Sequence, residues 1–268
     1  MNRQEIFRLE RSGVAQVVLE KDREQLTAGS AFLVAGGLVT NSHVLRDVDF
    51  DVAFFRFEGM PAGSGIRLAR EACLDNAVLA YESPRDEHDV AYLYLSEPEF
   101  HGRHVFDFGD SSNLHVGDKI AFLGFPFQMP QLTCHVGYVS SLNQRGSVDL
   151  IQIDGSVNGG NSGGPLVDLA NGRVVGVVTR AEIGFVADQF DDLMRTLQAN
   201  VELLQRNPGG LMIQGIDPVR GLLSSQAAML QIAENLRRSA NVGIGYAFSA
   251  NHIRDRIAEH STRTRGDA

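Results

Sequence analysis

Gly159-Gly160-Asn161-Ser162-Gly163-Gly164-Pro165 is the stretch on which the reading of this chain turns. A serine sits inside a frame of glycines, and an apolar strand, Pro165–Asp168, follows directly. A nucleophilic serine must expose its hydroxyl on a tight turn while nearby backbone N–H groups converge on one point. Glycines permit the dihedral angles that aim those groups, and they keep side chains out of a substrate's way. The plainer reading is a glycine-rich hairpin loop holding an incidental serine. The glycine frame with a proline and a strand behind it favours the nucleophile.

Two further stretches upstream could complete such a site. In Leu38-Val39-Thr40-Asn41-Ser42-His43-Val44-Leu45 an apolar strand ends in a polar turn that presents His43. A histidine there is ordinarily a surface or hydrogen-bonded residue, and seven others exist in the chain. In His88-Asp89-Val90-Ala91-Tyr92-Leu93-Tyr94-Leu95 an acid stands at the mouth of an apolar strand. Such an aspartate is usually a turn or cap residue. It would serve catalysis by accepting the Nδ1–H of His43, which fixes the tautomer and stabilises an imidazolium. Asp86 competes for the role but lacks the strand directly behind it. Asp89 follows His43 by 46 residues and Ser162 follows Asp89 by 73, enough to place the serine on a second barrel.

The rest of the chain supports a β-fold. Short apolar runs alternate with Gly, Asn, Asp and Pro. Strands are expected at Val14–Leu19, Ser30–Ala35, Leu38–Thr40, Val52–Phe57, Ala77–Tyr81 and Val90–Leu95. A second set is expected at Lys119–Gly124, His135–Leu142, Leu150–Asp154, Pro165–Asp168, Arg173–Thr179 and Ile244–Ser249. A linker near His101–Gly117 divides them, which suits two six-stranded antiparallel barrels, over about 12–100 and 117–250. Between Ala187 and Ala240 the rhythm changes. Phe190, Leu193, Met194, Leu197, Val201 and Leu204 recur at helical spacing, and Pro208-Gly209-Gly210 stops them. A second helix fits Ser224–Ser239, capped by Ser224 or Ser225. The expectation is a helical hairpin inserted over about 187–240. A terminal helix over about Asn251–His260 then leads into a polar tail, with the domain boundary set at 255 and the tail at 256–268.

Composition narrows the function class. The chain has 268 residues, 43% hydrophobic and 21% charged, as expected of an ordinary globular protein. The net charge of −9 gives no electrostatic reason to bind nucleic acid. No apolar run approaches the roughly 20 residues that span a bilayer, so no membrane partner is expected. The charged N-terminus does not resemble a secretory signal. The only cysteines are Cys73 and Cys134, too few for a disulfide framework, and two reduced thiols are favoured over a single bridge. Cytoplasmic is the location these features imply.

Taken together, the order His, Asp, Ser is that of the chymotrypsin template, and the chain resembles trypsin-like serine proteases. Within them it is most similar to the protease domain of the HtrA (DegP-type) group. The resemblance rests on Gly29-Ser30-Ala31-Phe32 with Thr40-Asn41-Ser42-His43-Val44, on Asp89-Val90-Ala91, and on Phe108-Gly109-Asp110-Ser111 with Val116-Gly117-Asp118. It rests also on Gly124-Phe125-Pro126-Phe127, and on Asn158–Pro165 with Gly243-Ile244-Gly245-Tyr246-Ala247-Phe248. It implies a serine endopeptidase acting on protein or peptide, with His43, Asp89 and Ser162 as the triad and no metal or cofactor. It implies an oxyanion hole at Gly160, Asn161 and Ser162, and a specificity pocket at Ser156, Thr179, Arg180, Ala181 and Ile244. Ser156, six positions before the serine, supplies no charge to attract Lys or Arg, which points to small or medium apolar residues, although Arg180 is close by.

Three departures stand out. Asn161 replaces the aspartate that digestive members use to capture a freshly cut N-terminus. Only about 20 residues follow Phe248, which leaves no room for a PDZ domain. The helical hairpin stands where that group has a short loop. Its readings are a packing insertion, a lid, or a docking surface for another subunit or a partner protein. The alternative for the whole chain is a silent or conditionally active peptide-binding module on the same fold.

Overall fold

The structure, a computed structural model, describes residues 3–22, 24–59, 64–74, 78–84, 87–95, 102–179, 185–206, 217–239 and 243–266. The chain divides into two compact units, residues 1–181 with 243–268, and residues 182–242.

Among the described residues, the first unit has thirteen strands. Seven form one antiparallel sheet: β1 (Val14–Lys21), β2 (Glu24–Val34), β3 (Gly37–Thr40), β4 (Val52–Phe57), β5 (Ile66–Ala69), β6 (Leu79–Glu82) and β7 (Ala91–Tyr94), in the order β5-β4-β1-β2-β3-β7-β6. The other six close an antiparallel barrel: β8 (Lys119–Gly124), β9 (Thr133–Arg145), β10 (Val148–Asp154), β11 (Pro165–Asp168), β12 (Arg173–Thr179) and β13 (Ile244–Ser249), in the order β10-β13-β12-β11-β8-β9.

Successive residues of a strand point to opposite faces, and here both faces are buried. On β2, Ala31 and Leu33 enter the core of the first sheet, while Phe32 and Val34 enter a second core shared with the barrel. On β8, Ile120 and Phe122 fill the barrel interior, while Ala121 and Leu123 join that shared core. Each fully buried Phe or Leu contributes about 1.5–3 kcal/mol. The shared core, with Phe32, Tyr92, Phe106 and Phe125 all within it, therefore locks the two sheets together. That union places residues from both sheets side by side at one rim.

The fold is of the chymotrypsin-like class, with one correction to the expected pair of six-stranded barrels. The first sheet curls but does not close, and it has seven strands, because β5 adds an edge that the sequence pattern did not reveal. A one-turn helix fills the gap instead. Of the helices in this region, α1 (Arg3–Glu10) precedes the sheet, α2 (Ser42–Arg46) follows β3, and α3 (Arg70–Leu74) connects the two sheet edges, β5 and β6. Cys73 of α3 is fully buried beside Ile66 and Leu79 from those edges. Burial pushes its thiol up to about 12. Cys73 and Cys134 are both buried and form no disulfide with each other.

The second unit is a pair of 22-residue helices, α4 (Phe185–Arg206) and α5 (Pro218–Ser239). Met194, Leu197 and Ala233 are buried between them, with Leu230 packed alongside. The second helix starts six residues before the expected Ser224. Asp217 Oδ1 accepts the N–H groups of Val219 (3.0 Å) and Arg220 (3.2 Å), and Pro218 takes the first helical position, where its missing N–H costs nothing. The expected stop at Pro208–Gly210 lies outside the described residues.

Helix α6 (Ala250–Gly266) belongs to the first unit and buries Ile253 and Ile257, one turn apart, in the shared core. It runs past the expected end at His260 and through most of the predicted tail, because no Gly or Pro interrupts it before Gly266. Among the described residues no helix is long and apolar enough to cross a membrane.

Candidate active site

The apolar strand β3 brings the chain to Asn41, where it turns into α2 and presents His43 on the first turn. Asp89 lies opposite, on the approach to β7. Its backbone is in the left-handed region, with φ of 45°, a strained choice for a residue other than glycine. Its N–H donates to Pro84 O (3.0 Å), and its carbonyl accepts from Ser42 N (3.2 Å) and Asn41 Nδ2 (2.8 Å). The carboxylate, almost fully buried, holds His43 twice. Oδ1 accepts the backbone N–H of His43 at 2.9 Å, and Oδ2 lies 2.6 Å from His43 Nδ1. Thr179, the last residue of β12, directs its hydroxyl at the same Oδ2, 3.5 Å away. Asp86 lies outside the described residues.

The serine loop meets this pair from the barrel side. Gly160 and Gly163 both have positive φ, 101° and 86°. A Cβ at Gly160 would stand 2.1 Å from Phe125 O, and one at Gly163 would stand 2.1 Å from Ser30 O and 3.0 Å from Asn41 N. Only glycine fits either position. Ser162 is buried, and its carbonyl accepts from Ser30 N at 2.7 Å. Ser30 Oγ also donates to Gly160 O (2.7 Å) and accepts from Phe125 N (3.1 Å). One side chain of β2 therefore ties the serine loop to the first sheet. Sequence reasoning quoted Ser30 within a motif but gave it no role. Its signal, a small hydroxyl residue just after Gly29, becomes meaningful only when the contact across 130 residues is seen.

Of the other expected site residues, one has its backbone N–H engaged elsewhere. The backbone N–H of Asn161 closes a turn onto Asn158 O at 3.0 Å, so Asn161 is not an oxyanion donor. Its carboxamide is fully buried and makes no hydrogen bond among the described residues. Thr179, expected in the pocket wall, directs its hydroxyl at Asp89. Ser156 is half-buried and accepts Gly243 N at 3.2 Å. Ile244 is half exposed, paired with Asp154 at the start of β13. Arg180 and Ala181 lie outside the described residues.

Beside His43 opens a pocket of about 360 Å³, lined by Ser42, His43, Arg46, Asp47, Glu82 and Pro84. Burial alone would raise the Glu82 carboxyl, but hydrogen bonds from Arg46 and Ser42 outweigh it and hold the group below the usual carboxylate range. Among the described residues, no three His, Cys, Asp or Glu side chains group closely enough to hold a metal ion.

This geometry agrees with a known family: the model for the trypsin-like peptidase domain matches residues 29–177, more than half of the chain. The chain belongs to the trypsin-like peptidase family. The matched span begins at the glycine before Ser30 and includes His43, Asp89 and Ser162. Among curated relatives, the chain is 38% identical over 158 residues to a probable periplasmic serine endoprotease, DegP-like, of Bartonella henselae, covering 56% of this chain and 27% of that one. It is 31% identical over 162 residues to Protease Do-like 1, chloroplastic, of Arabidopsis thaliana, covering 57% and 33%. The chain thus spans a third or less of the length of these relatives. Among solved structures it is similar to the HtrA-type protease AlgW with a tripeptide, at a TM-score of 0.52 and 28% identity, covering 67% of this chain and 54% of that one. The expected cytoplasmic location does not stand, since relatives such as that of Bartonella henselae are named as periplasmic. Composition and the lack of a disulfide between Cys73 and Cys134 could not decide compartment.

Proposed function

We propose that this member of the trypsin-like family is a serine endopeptidase working through an acyl-enzyme on Ser162. The observation that carries the reading is the double hold of a buried Asp89 carboxylate on His43, at 2.9 and 2.6 Å. An aspartate so bound keeps the imidazole in one tautomer and leaves Nε2 to act as base. Ser162 Oγ attacks the peptide carbonyl as His43 takes its proton. The C–N bond then breaks as His43 returns that proton to the leaving amine, and water releases the acid by the same relay. The backbone N–H groups of Gly160 and Ser162 are the oxyanion donors in this reading, each worth about 3 kcal/mol in the transition state. The substrate is a protein or peptide, in keeping with peptide-bound HtrA-type structures. Ser156 brings no charge to the pocket, so cleavage after small or medium apolar residues is favoured.

A fluorophosphonate probe tests the reading. The wild-type chain should be labelled at Ser162 and should cleave casein, and Ser162→Ala should do neither. A folded wild type that takes no label would overturn the proposal in favour of a peptide-holding module on the same fold.

A further inference from the structure

Asparagine at a helix N-cap ordinarily turns its side-chain oxygen onto the N–H of the second or third helical residue. Asn41 is the N-cap of α2, yet its side chain makes no such bond. The N–H it would serve, that of His43, is occupied by Asp89 Oδ1 at 2.9 Å. The carboxamide points instead across to Asp89 and donates Nδ2–H to the Asp89 carbonyl at 2.8 Å. The two residues have exchanged partners: the acid caps the histidine helix, and the asparagine that should cap it grips the backbone of the acid.

The exchange has a cost that the structure accepts. Asn41 is fully buried and its Oδ1 makes no hydrogen bond among the described residues. An orphaned buried amide oxygen is uncommon and calls for an explanation. The explanation lies at Asp89, whose φ of 45° is a conformation that asparagine and aspartate visit only when surroundings hold them there. Its N–H is tied to Pro84 O, and its carbonyl is tied by Ser42 N and Asn41 Nδ2. Of the two bonds on the carbonyl, that from Asn41 is the shorter and the only one from a side chain.

We propose that Asn41 is a positioning residue: its carboxamide fixes the left-handed backbone of Asp89 and thereby the direction in which the carboxylate meets His43. It touches neither substrate nor reacting atoms. The inference rests on the endopeptidase reading, because only there does the aim of Asp89 control a rate. A misplacement of the order of 1 Å in such a group costs about 100-fold. Removing the carboxamide should therefore lower kcat about 10- to 100-fold and leave KM unchanged, since no substrate contact is lost.

The test compares wild type, Asn41→Ala and Asn41→Ser for kcat and KM on one peptide substrate, for the rate of fluorophosphonate labelling, and for the downfield proton resonance of His43 Nδ1–H. A drop in kcat and labelling rate at constant KM, with the resonance moved or lost while circular dichroism stays native, supports the positioning role. Native kinetics and an unmoved resonance in either folded variant overturn it. If neither variant folds, hydrogen exchange of the Asn41 side-chain amide in wild type decides: protection supports the grip on Asp89, and exchange at the solvent rate overturns it. A wild type that is itself unlabelled sinks the endopeptidase reading, which is a different result from a variant that matches an active wild type.

Discussion

At the scale of single residues, what the site adds to the sequence is direction. Thr179 reads in sequence as the end of an apolar strand, and nothing there says which distant group its hydroxyl will face. In the structure it reaches Asp89 Oδ2 across 90 residues. At 3.5 Å this is a long bond, so its worth falls below the roughly 1.5–3 kcal/mol of a good hydrogen bond to a charged group, at about 1 kcal/mol. Thr179→Val, which keeps the shape and removes the donor, should cut kcat about 3- to 10-fold on a peptide substrate. Thr179→Ser should stay within twofold of wild type by the same measure. His43, Asp89 and Ser162 stood out in the sequence because each sits at an abrupt change of pattern: strand to polar turn, turn to strand, glycine frame to strand. Asn161 misled as an oxyanion donor because a local turn consumed its N–H, and sequence spacing says nothing about where a peptide plane points.

At the scale of elements, the legible pieces were those long enough to show a period. Strands β1 and β12 and helix α4 were read within a few residues. Helices α2 and α3, of five residues each, are too short for a 3.6-residue period to emerge. Helix α1 hid because charged residues dominate it and Phe7 alone meets the shared core among its described apolar side chains. That helix ends on Glu10, which is 2% exposed and has an unpartnered Oε2. Burial pushes its carboxyl up from 4.5 to about 7. A carboxyl raised in the folded state gives stability that is fully present below its unfolded value and lost as pH climbs through the folded one. Glu10 therefore weakens the fold progressively from pH 4.5 to about 7. The α6 side of the molecule works the other way. His88 and His252 stack with ring centres 3.7 Å apart. Burial holds both below the ordinary value of 6.5, with His88 further depressing His252 and Arg256 depressing both, against Glu87 on both, Asp149 on His88 and Asp255 on His252. Their contribution is intact above pH 6.5 and declines as pH falls below it. Glu10→Gln separates the two effects. Its melting temperature should match wild type near pH 4.5 and exceed it by several degrees at pH 8. Below pH 6.5 the variant shows the loss from the histidines alone, whereas in wild type that loss is offset as Glu10 takes up its proton. Equal melting temperatures at pH 8 would mean that Glu10 finds a partner or reaches water in solution.

At the scale of the whole molecule, the first sheet taught the clearest lesson. Its inner strands, β1 and β3 among them, are buried on both faces, so their sequences read as apolar runs, and runs do not say whether a sheet closes. The sheet stays open, and the short helix α3 packs between its two edges, with Cys73 buried in the same core as Ile66 of β5 and Leu79 of β6. The two-unit division leads to a further expectation about independence. The insertion leaves the first unit after β12 and returns at β13, and these strands are direct neighbours, with Thr179 paired to Tyr246. The exit and entry points thus lie side by side, where a short turn can join them. Among the described residues, the four cores of the first unit are built from that unit's own side chains. Replacing Glu182–Val242 by a four-residue Gly/Asn turn should therefore leave the first unit folded, with a cooperative melt. The excised hairpin faces the opposite balance. Among its described side chains, Met194, Leu197 and Ala233 are buried, about 2 kcal/mol for each of the larger two. Ordering two 22-residue helices costs on the order of 1 kcal/mol per residue in backbone entropy. A peptide of residues 182–242 should show weak, non-cooperative helicity by circular dichroism. A cooperative melt of that peptide, or collapse of the trimmed first unit, would show that the two units stabilise one another.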